Sequence, residues 1–245
     1  MAVLVPGKVF RDKIDSSQPL WRYMDLPKFM EMIEHRNLFF TKADRFEDRY
    51  EGAFTSTLKE RIENSYRDNG IVSTFDEFKT KLRERVFISC WHKGIHDNMA
   101  MWKIYGALTT GVAITTWVKR LEEALIKHKN YRISETYIFD VKYINHWDNP
   151  TIDIKPYSRI FSYKLKAYTY ENEIRAVIDT LHHTYDVNPP DEYGLKVDVD
   201  VEQLIGSIVI SPDAPKWFIE LIHDIVKRYG LKIPVQRSKL SFEPL

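Results

Sequence analysis

The residues best suited to chemistry fall in one short stretch, Tyr168-Thr-Tyr-Glu-Asn-Glu-Ile-Arg-Ala-Val-Ile-Asp179. Read as a strand, it turns Glu171, Glu173 and Arg175 to one face, because side chains two residues apart in a strand point the same way. Asn172, Ile174, Ala176 and Ile178 take the other, mostly apolar face. Two carboxylates and a guanidinium in a row on a rigid element can form an active-site wall. The plainer alternative is the wet side of a half-buried strand, each acid paired with a lysine or arginine at the sheet surface. Arg22, within Leu20-Trp-Arg-Tyr-Met-Asp25, poses a similar choice. An arginine in an otherwise apolar strand is costly unless an anion meets it. That anion is either a ligand's phosphate or the carboxylate of Asp25, Asp44 or Glu51.

Other chemistries find little support. The single cysteine, Cys90, lies in the apolar run Val86-Phe-Ile-Ser-Cys-Trp91, where a thiol behaves as a small hydrophobe without an activated thiolate. Ser89 points to the opposite face from Cys90, but no nucleophile-elbow motif surrounds it. His92-x-x-x-His96 has helical metal-ligand spacing, yet Gly94 between the two argues for loop histidines, and His182-His183 is weaker still. The nine glycines are scattered singly, so there is neither a phosphate-binding loop nor a dinucleotide fingerprint. No metal site is expected. A bound nucleotide would be held by side chains, with Arg22 the natural candidate.

The elements that must position these groups follow from periodicity. Residues 1–19 form an irregular arm. Leu20–Asp25 is a strand, a helix follows from Pro27 to Arg36 with Asp25 at its cap, and Leu38–Thr41 is a second strand. A charged loop, Asp44 to Gly52, leads to helices over Phe54–Asp68 and Thr74–Arg85. Val86–Trp91 is a buried strand, and Asp97 or Asn98 caps a helix ending near Gly106. Gly111–Thr116 is a strand, Val118–Lys127 a helix, and Tyr137–Ile144 a strand. After the opening stretch come a loop at Asn188-Pro-Pro-Asp191, strands at Leu195–Val199 and Ser207–Ser211, a helix over Ala214–Tyr229 and a short strand at Ile233–Val235. With no repeat or linker in the 245 residues, this reads as a single α+β domain. Its sheet is mixed and mainly antiparallel, whole or split, with flanking helices.

Composition narrows the partners. Lysine plus arginine number 36 against 35 acids, a formal charge of +1, which argues against binding nucleic acid chiefly by phosphate neutralisation. Hydrophobic residues at 44% supply a sizeable core. A lone cysteine precludes an intrachain disulfide. The apolar Met1–Pro6 patch is too short for a signal peptide, and no run approaches a membrane span. A cytoplasmic protein without a membrane role is the expectation.

Several segments together resemble the largely bacterial family called domain of unknown function 2971. They are Leu20-Trp-Arg-Tyr, Leu38-Phe-Phe-Thr, Phe46-Glu-Asp-Arg-Tyr-Glu-Gly, Phe87-Ile-Ser-Cys-Trp, Met101-Trp-x-x-Tyr-Gly and Gly111-Val-Ala-Ile, followed by Tyr170-Glu-Asn-Glu-Ile-Arg and Ile210-Ser-Pro-x-Ala-Pro-x-Trp-Phe. The loop usually reads Asn-Asp-Pro-Phe-Glu in that family. Here Asp48 and Glu51 match and Tyr50 keeps the aromatic, whereas Glu47 and Arg49 depart. The family name carries no activity.

A second, fold-level resemblance is to ADP-ribosyltransferase-like enzymes, whose first strand carries Arg or His and whose last active-site strand carries a glutamate, often as Glu-x-Glu. It implies NAD as substrate, with Arg22 on the pyrophosphate, Glu173 stabilising the oxocarbenium-like state and Glu171 orienting or deprotonating the acceptor. Tyr23 or Trp91 would stack on the nicotinamide. Thr41 or Ser89 would take the middle position, commonly Ser or Tyr. The acceptor would be protein, nucleic acid or water. Two other classes stay open: a non-catalytic sensor or interaction module in bacterial stress or phage defence, and a nuclease holding magnesium with Asp48, Glu51, Glu171 and Glu173.

Overall fold

The computed structural model describes residues 8–48, 50–126, 135–181 and 192–242. His182, His183 and the Asn188–Asp191 loop lie outside the described residues. The strands are β1 (Lys8–Arg11), β2 (Pro19–Asp25), β3 (Asn37–Lys42), β4 (Val86–Lys93), β5 (Gly111–Trp117), β6 (Glu135–Asp140), β7 (Lys142–Ile144), β8 (Tyr163–Leu165), β9 (Glu173–Asp179), β10 (Gly194–Asp198), β11 (Ser207–Ile210) and β12 (Val235–Arg237). The helices are α1 (Leu26–His35), α2 (Ser56–Asp68), α3 (Phe75–Arg85), α4 (Met99–Met101), α5 (Val118–Ile126), α6 (Val201–Leu204) and α7 (Lys216–Arg228).

Among the described residues, ten strands make one sheet in the order β1-β6-β9-β4-β2-β5-β11-β12, with β3 also paired to β4 and β10 to β3. All of its pairs are antiparallel except β1 with β6 and β11 with β12. The fold is thus mixed α/β, with one mainly antiparallel sheet and flanking helices. Among the described residues, no helix is long and apolar enough to cross a membrane.

Local chemistry explains the elements that matter for the site. Helix α1 begins where the Asp25 side chain accepts from the Lys28 N–H at 2.9 Å, beside a proline that suits the first turn. It ends at Arg36 in a left-handed conformation. Helix α3 starts with a reciprocal capping box between Thr74 and Glu77. One core packs α1, α5 and α7 against Leu20, Trp91, Ile174 and Ile178. A second core, on the other face, joins Ile88, Phe139 and Val177 to Phe161 and Leu82.

The structure corrects several sequence expectations. Part of the arm is ordered, since β1 adds a parallel edge strand to β6. The expected strand over 137–144 is two, because the chain leaves the main sheet after Asp140 and β7 pairs in parallel with β8 as a separate ribbon. The helix expected to end near Gly106 is only the short α4, continued by a π turn over Trp102–Gly106. The stretch Tyr168–Asp179 is not one strand. Lys166–Glu171 is 3-10 helical, and Asn172 reverses into β9 with φ of 41°, a conformation asparagine tolerates better than most residues. Its amide also donates to the Lys93 carbonyl at 2.6 Å.

The sheet is open at one place. Strand β2 pairs with β5 along its whole length, but its register with β4 consists of Leu20↔Lys93 and Trp21↔His92 alone. Farther on, β3 takes its place beside β4, at Thr41↔Ile88 and Lys42↔Phe87. The intervening backbone of β4, around Ser89 to Trp91, therefore borders a gap between strands.

Candidate active site

A cavity of about 880 Å³ opens at that gap. Arg22, Glu173 and Glu171 all line it, as do Tyr23, Trp91, Thr41 and Lys164. Cross-strand partners share a face, so the row Trp21–His92–Glu173 turns Glu173 to one side of the sheet. Arg22 points to the other side, with Ser89 and Trp91. The parting of β2 and β4 is what brings both within one cavity.

Arg22 is half-buried, and its partners are neutral. One guanidinium N–H donates to the Phe39 carbonyl at 2.9 Å, another to the Ser89 hydroxyl, and the group lies 5.6 Å from the Trp91 ring centre. The carboxylates expected to neutralise it are engaged elsewhere. Asp25 meets Lys28 at 3.2 Å, Asp44 meets Lys42 at 3.0 Å, and Glu51 binds Arg175. Burial lowers the Arg22 pKa to about 10, so it stays charged at neutral pH. Among the described residues, Arg22 has no carboxylate partner.

The acids present the opposite case. Neither Glu171 nor Glu173 belongs to a wet sheet face, because both are buried and paired. Arg175, 0% exposed, holds Glu51 through two bonds of 2.6 and 2.8 Å, Glu173 through its Nε at 2.8 Å, and the Phe161 carbonyl at 2.7 Å. Lys164, brought in by β8, donates to Glu173 at 2.8 Å and to Glu171, and lies 3.4 Å from Glu51. Glu51 is delivered by the charged loop, whose next residue, Gly52, turns at φ of 68° against the Phe161 ring. Tyr105 completes the cluster by donating from its hydroxyl to Glu171 Oε1 at 3.0 Å.

Among the described residues, three carboxylates thus face two cations, and the two glutamates respond in opposite directions. For Glu173, burial raises the pKa, but the charges of Arg175 and Lys164 outweigh it and hold the carboxyl well below the ordinary range. For Glu171, burial and then hydrogen bonding to and repulsion from Glu173 push the pKa up to about 7, with Lys164 opposing. Paired acids pushed apart in this way are suited to one fixed charge and one proton carrier.

The other sequence candidates are placed as follows. Ser89 is buried and accepts from both Arg22 and the Trp91 indole, the latter at 3.1 Å. Thr41 is at the cavity wall on β3. Trp91 is 1% exposed, and Tyr23 accepts from the Asn98 N–H at 2.8 Å with its ring edge-on to Trp102. Both touch the cavity, but neither leaves much ring surface for stacking. His92 is a buried strand residue instead of a loop histidine. Its Nδ1–H donates to the Glu171 carbonyl at 2.6 Å. Cys90 faces Arg175 across the β4–β9 pair, and burial raises its pKa, so it is no thiolate. Among the described residues, no group of three or more His, Cys, Asp or Glu side chains is arranged to hold a metal.

Lys164, Glu51 and Tyr105 were not identified as a set from sequence. Glu51 and Arg175 lie 124 residues apart, and the sequence reading offers Glu51 only as a partner of Arg22 or as a magnesium ligand with Asp48, Glu171 and Glu173. Comparison of the chain with protein-family models and with curated proteins gives no match.

Replacing Arg175 with Met leaves Glu51 and Glu173 buried with one shared cation. Such a loss costs about 3–5 kcal/mol, which urea unfolding at pH 7 will register as a lower midpoint. Arg175 depresses the folded pKa of Glu173, so its stabilisation is present above the ordinary carboxyl value of 4.5 and lost as pH falls through the depressed value. The gap between wild type and variant will therefore narrow in acid; a gap that widens contradicts this electrostatic account.

Proposed function

We propose that this protein is an ADP-ribosyltransferase-like enzyme that uses NAD. The observation that carries the reading is the meeting, in one cavity, of a guanidinium with no carboxylate partner among the described residues and a pair of acids with opposed pKa shifts. Arg22 would bind the pyrophosphate, whose charge replaces the missing counter-ion and favours a charge-assisted contact. Between the two chosen middle-position candidates, Ser89 is favoured over Thr41, because β4 lies between the strands of Arg22 and Glu173 and Ser89 accepts from Arg22.

In the reaction, the bond between nicotinamide nitrogen and the ribose anomeric carbon breaks, and its electron pair leaves on neutral nicotinamide. Positive charge develops on the ribose, as in glycoside hydrolysis. Glu173, held ionised by Arg175 and Lys164, would stabilise that charge and accept from the ribose 2′-hydroxyl. Glu171 takes the proton of the incoming acceptor. The magnesium-nuclease alternative draws less support, because the Lys164 ammonium and Arg175 guanidinium already set positive charge between Glu51, Glu171 and Glu173, where a divalent cation would be repelled. No particular observation favours a sensor module.

Glu173→Gln keeps the side-chain shape and leaves two carboxylates facing two cations, so the variant is expected to fold. Its rate of nicotinamide release from NAD should fall by about 10²–10³, measured by chromatography. Full turnover in the variant ends the transferase reading. Acceptance of a proton requires ionised Glu171, so wild-type turnover should rise with pH through about 7. In Glu171→Gln that inflection should vanish; a profile with the same inflection in both removes Glu171 as the base.

A further inference from the structure

Besides the Lys164 ammonium, Glu171 receives a hydroxyl of the chain itself. Tyr105 lines the cavity, is 43% exposed, and directs its phenolic O–H to Glu171 Oε1 at 3.0 Å. Its backbone is firmly held on both sides. Before it, Asn98 caps α4 through the Ala100 N–H at 2.9 Å, and the fully buried Trp102 donates from its indole to Asp97 at 3.1 Å. After it, the π turn closes on Ala107, a non-glycine residue at φ 58°, ψ 120°. Single π turns and residues in sparsely populated backbone regions cluster at functional sites. Here they carry a half-exposed ring to the mouth of the cavity.

We propose, on the basis of the transferase reading, that Tyr105 is an acceptor in its own right and that the protein ADP-ribosylates itself there. The phenolic oxygen attacks the anomeric carbon of the nicotinamide-bearing ribose. The carbon–nitrogen bond breaks, nicotinamide leaves with the bonding pair, and the phenolic proton passes to Glu171. Burial and the nearby carboxylates raise the Tyr105 pKa, so free phenolate is not formed and proton transfer accompanies bond formation. Of the other phenols nearby, Tyr168 lines the cavity but sets its ring under the Lys164 ammonium at 4.7 Å, and Tyr170 also reaches Glu171 but does not line the cavity.

The test is to incubate the purified full chain with NAD, quantify released nicotinamide, and map adducts by tandem mass spectrometry. The expected result is one ADP-ribosyl group on Tyr105, absent from Tyr105→Phe, a change that removes only a hydroxyl. Nicotinamide release with Tyr105 unmodified overturns this inference and leaves the transferase reading standing. An adduct on Tyr168 or Tyr170 in its place also overturns the inference. Absence of nicotinamide release overturns both.

Discussion

The site depends on Arg175. A guanidinium has five N–H donors in a fixed plane, and here they are spent on Glu51, Glu173 and the Phe161 carbonyl. One side chain, fully removed from solvent, thereby ties the charged loop, strand β9 and the segment leading into β8 into a single arrangement. Such a pair is not a large net source of stability, because desolvation offsets most of the attraction. Its effect is geometric. It fixes Glu51 and Glu173 so that Lys164 can reach both, and with them Glu171. The odd number of carboxylates then leaves one proton to be held near neutral pH.

Opposite this balanced cluster stands an unbalanced charge. The sheet parts after Trp21, and the Arg22 guanidinium spans the opening by donating to β3 and to β4. Both acceptors are neutral, so those contacts do not neutralise it. A cation in such a setting is expensive to keep and is accounted for if an anionic ligand completes it. In the proposed reading, a nucleotide pyrophosphate at Arg22 with its ribose at Glu173 would use both halves of the cavity. This is why the transferase reading is preferred to one built on either half alone.

Much of this was legible in the sequence. The strand–helix–strand opening with Asp25 as cap, the β4 and β5 strands, helix α7 and the α+β mixture follow from local periodicity and capping. Arg22, Glu171 and Glu173 stood out because charges in apolar surroundings are conspicuous. The partners of those charges were not legible. Asp25, Asp44 and Glu51, the carboxylates expected to meet Arg22, are each engaged by other cations. Lys164 has no sequence mark of its own, and its role arises only because β8, paired with β7 outside the main sheet, brings its ammonium to Glu171 and Glu173. The start of β9 was misplaced because Tyr168–Glu171 has strand-like composition. The left-handed turn at Asn172 is a backbone event that periodicity does not record. It is also what lets Glu171 and Glu173 share one ammonium.

The central claim is that Arg22 awaits an anionic nucleotide in the cavity that holds the two glutamates. Calorimetric titration of NAD into the wild type and into Arg22→Gln tests it directly. The variant keeps a polar side chain but lacks the charge. Saturable binding to the wild type, weakened about tenfold or more in the variant, roughly 1.4 kcal/mol, is the expected result. Equal affinity in the two proteins, or no binding to the wild type, would contradict the account.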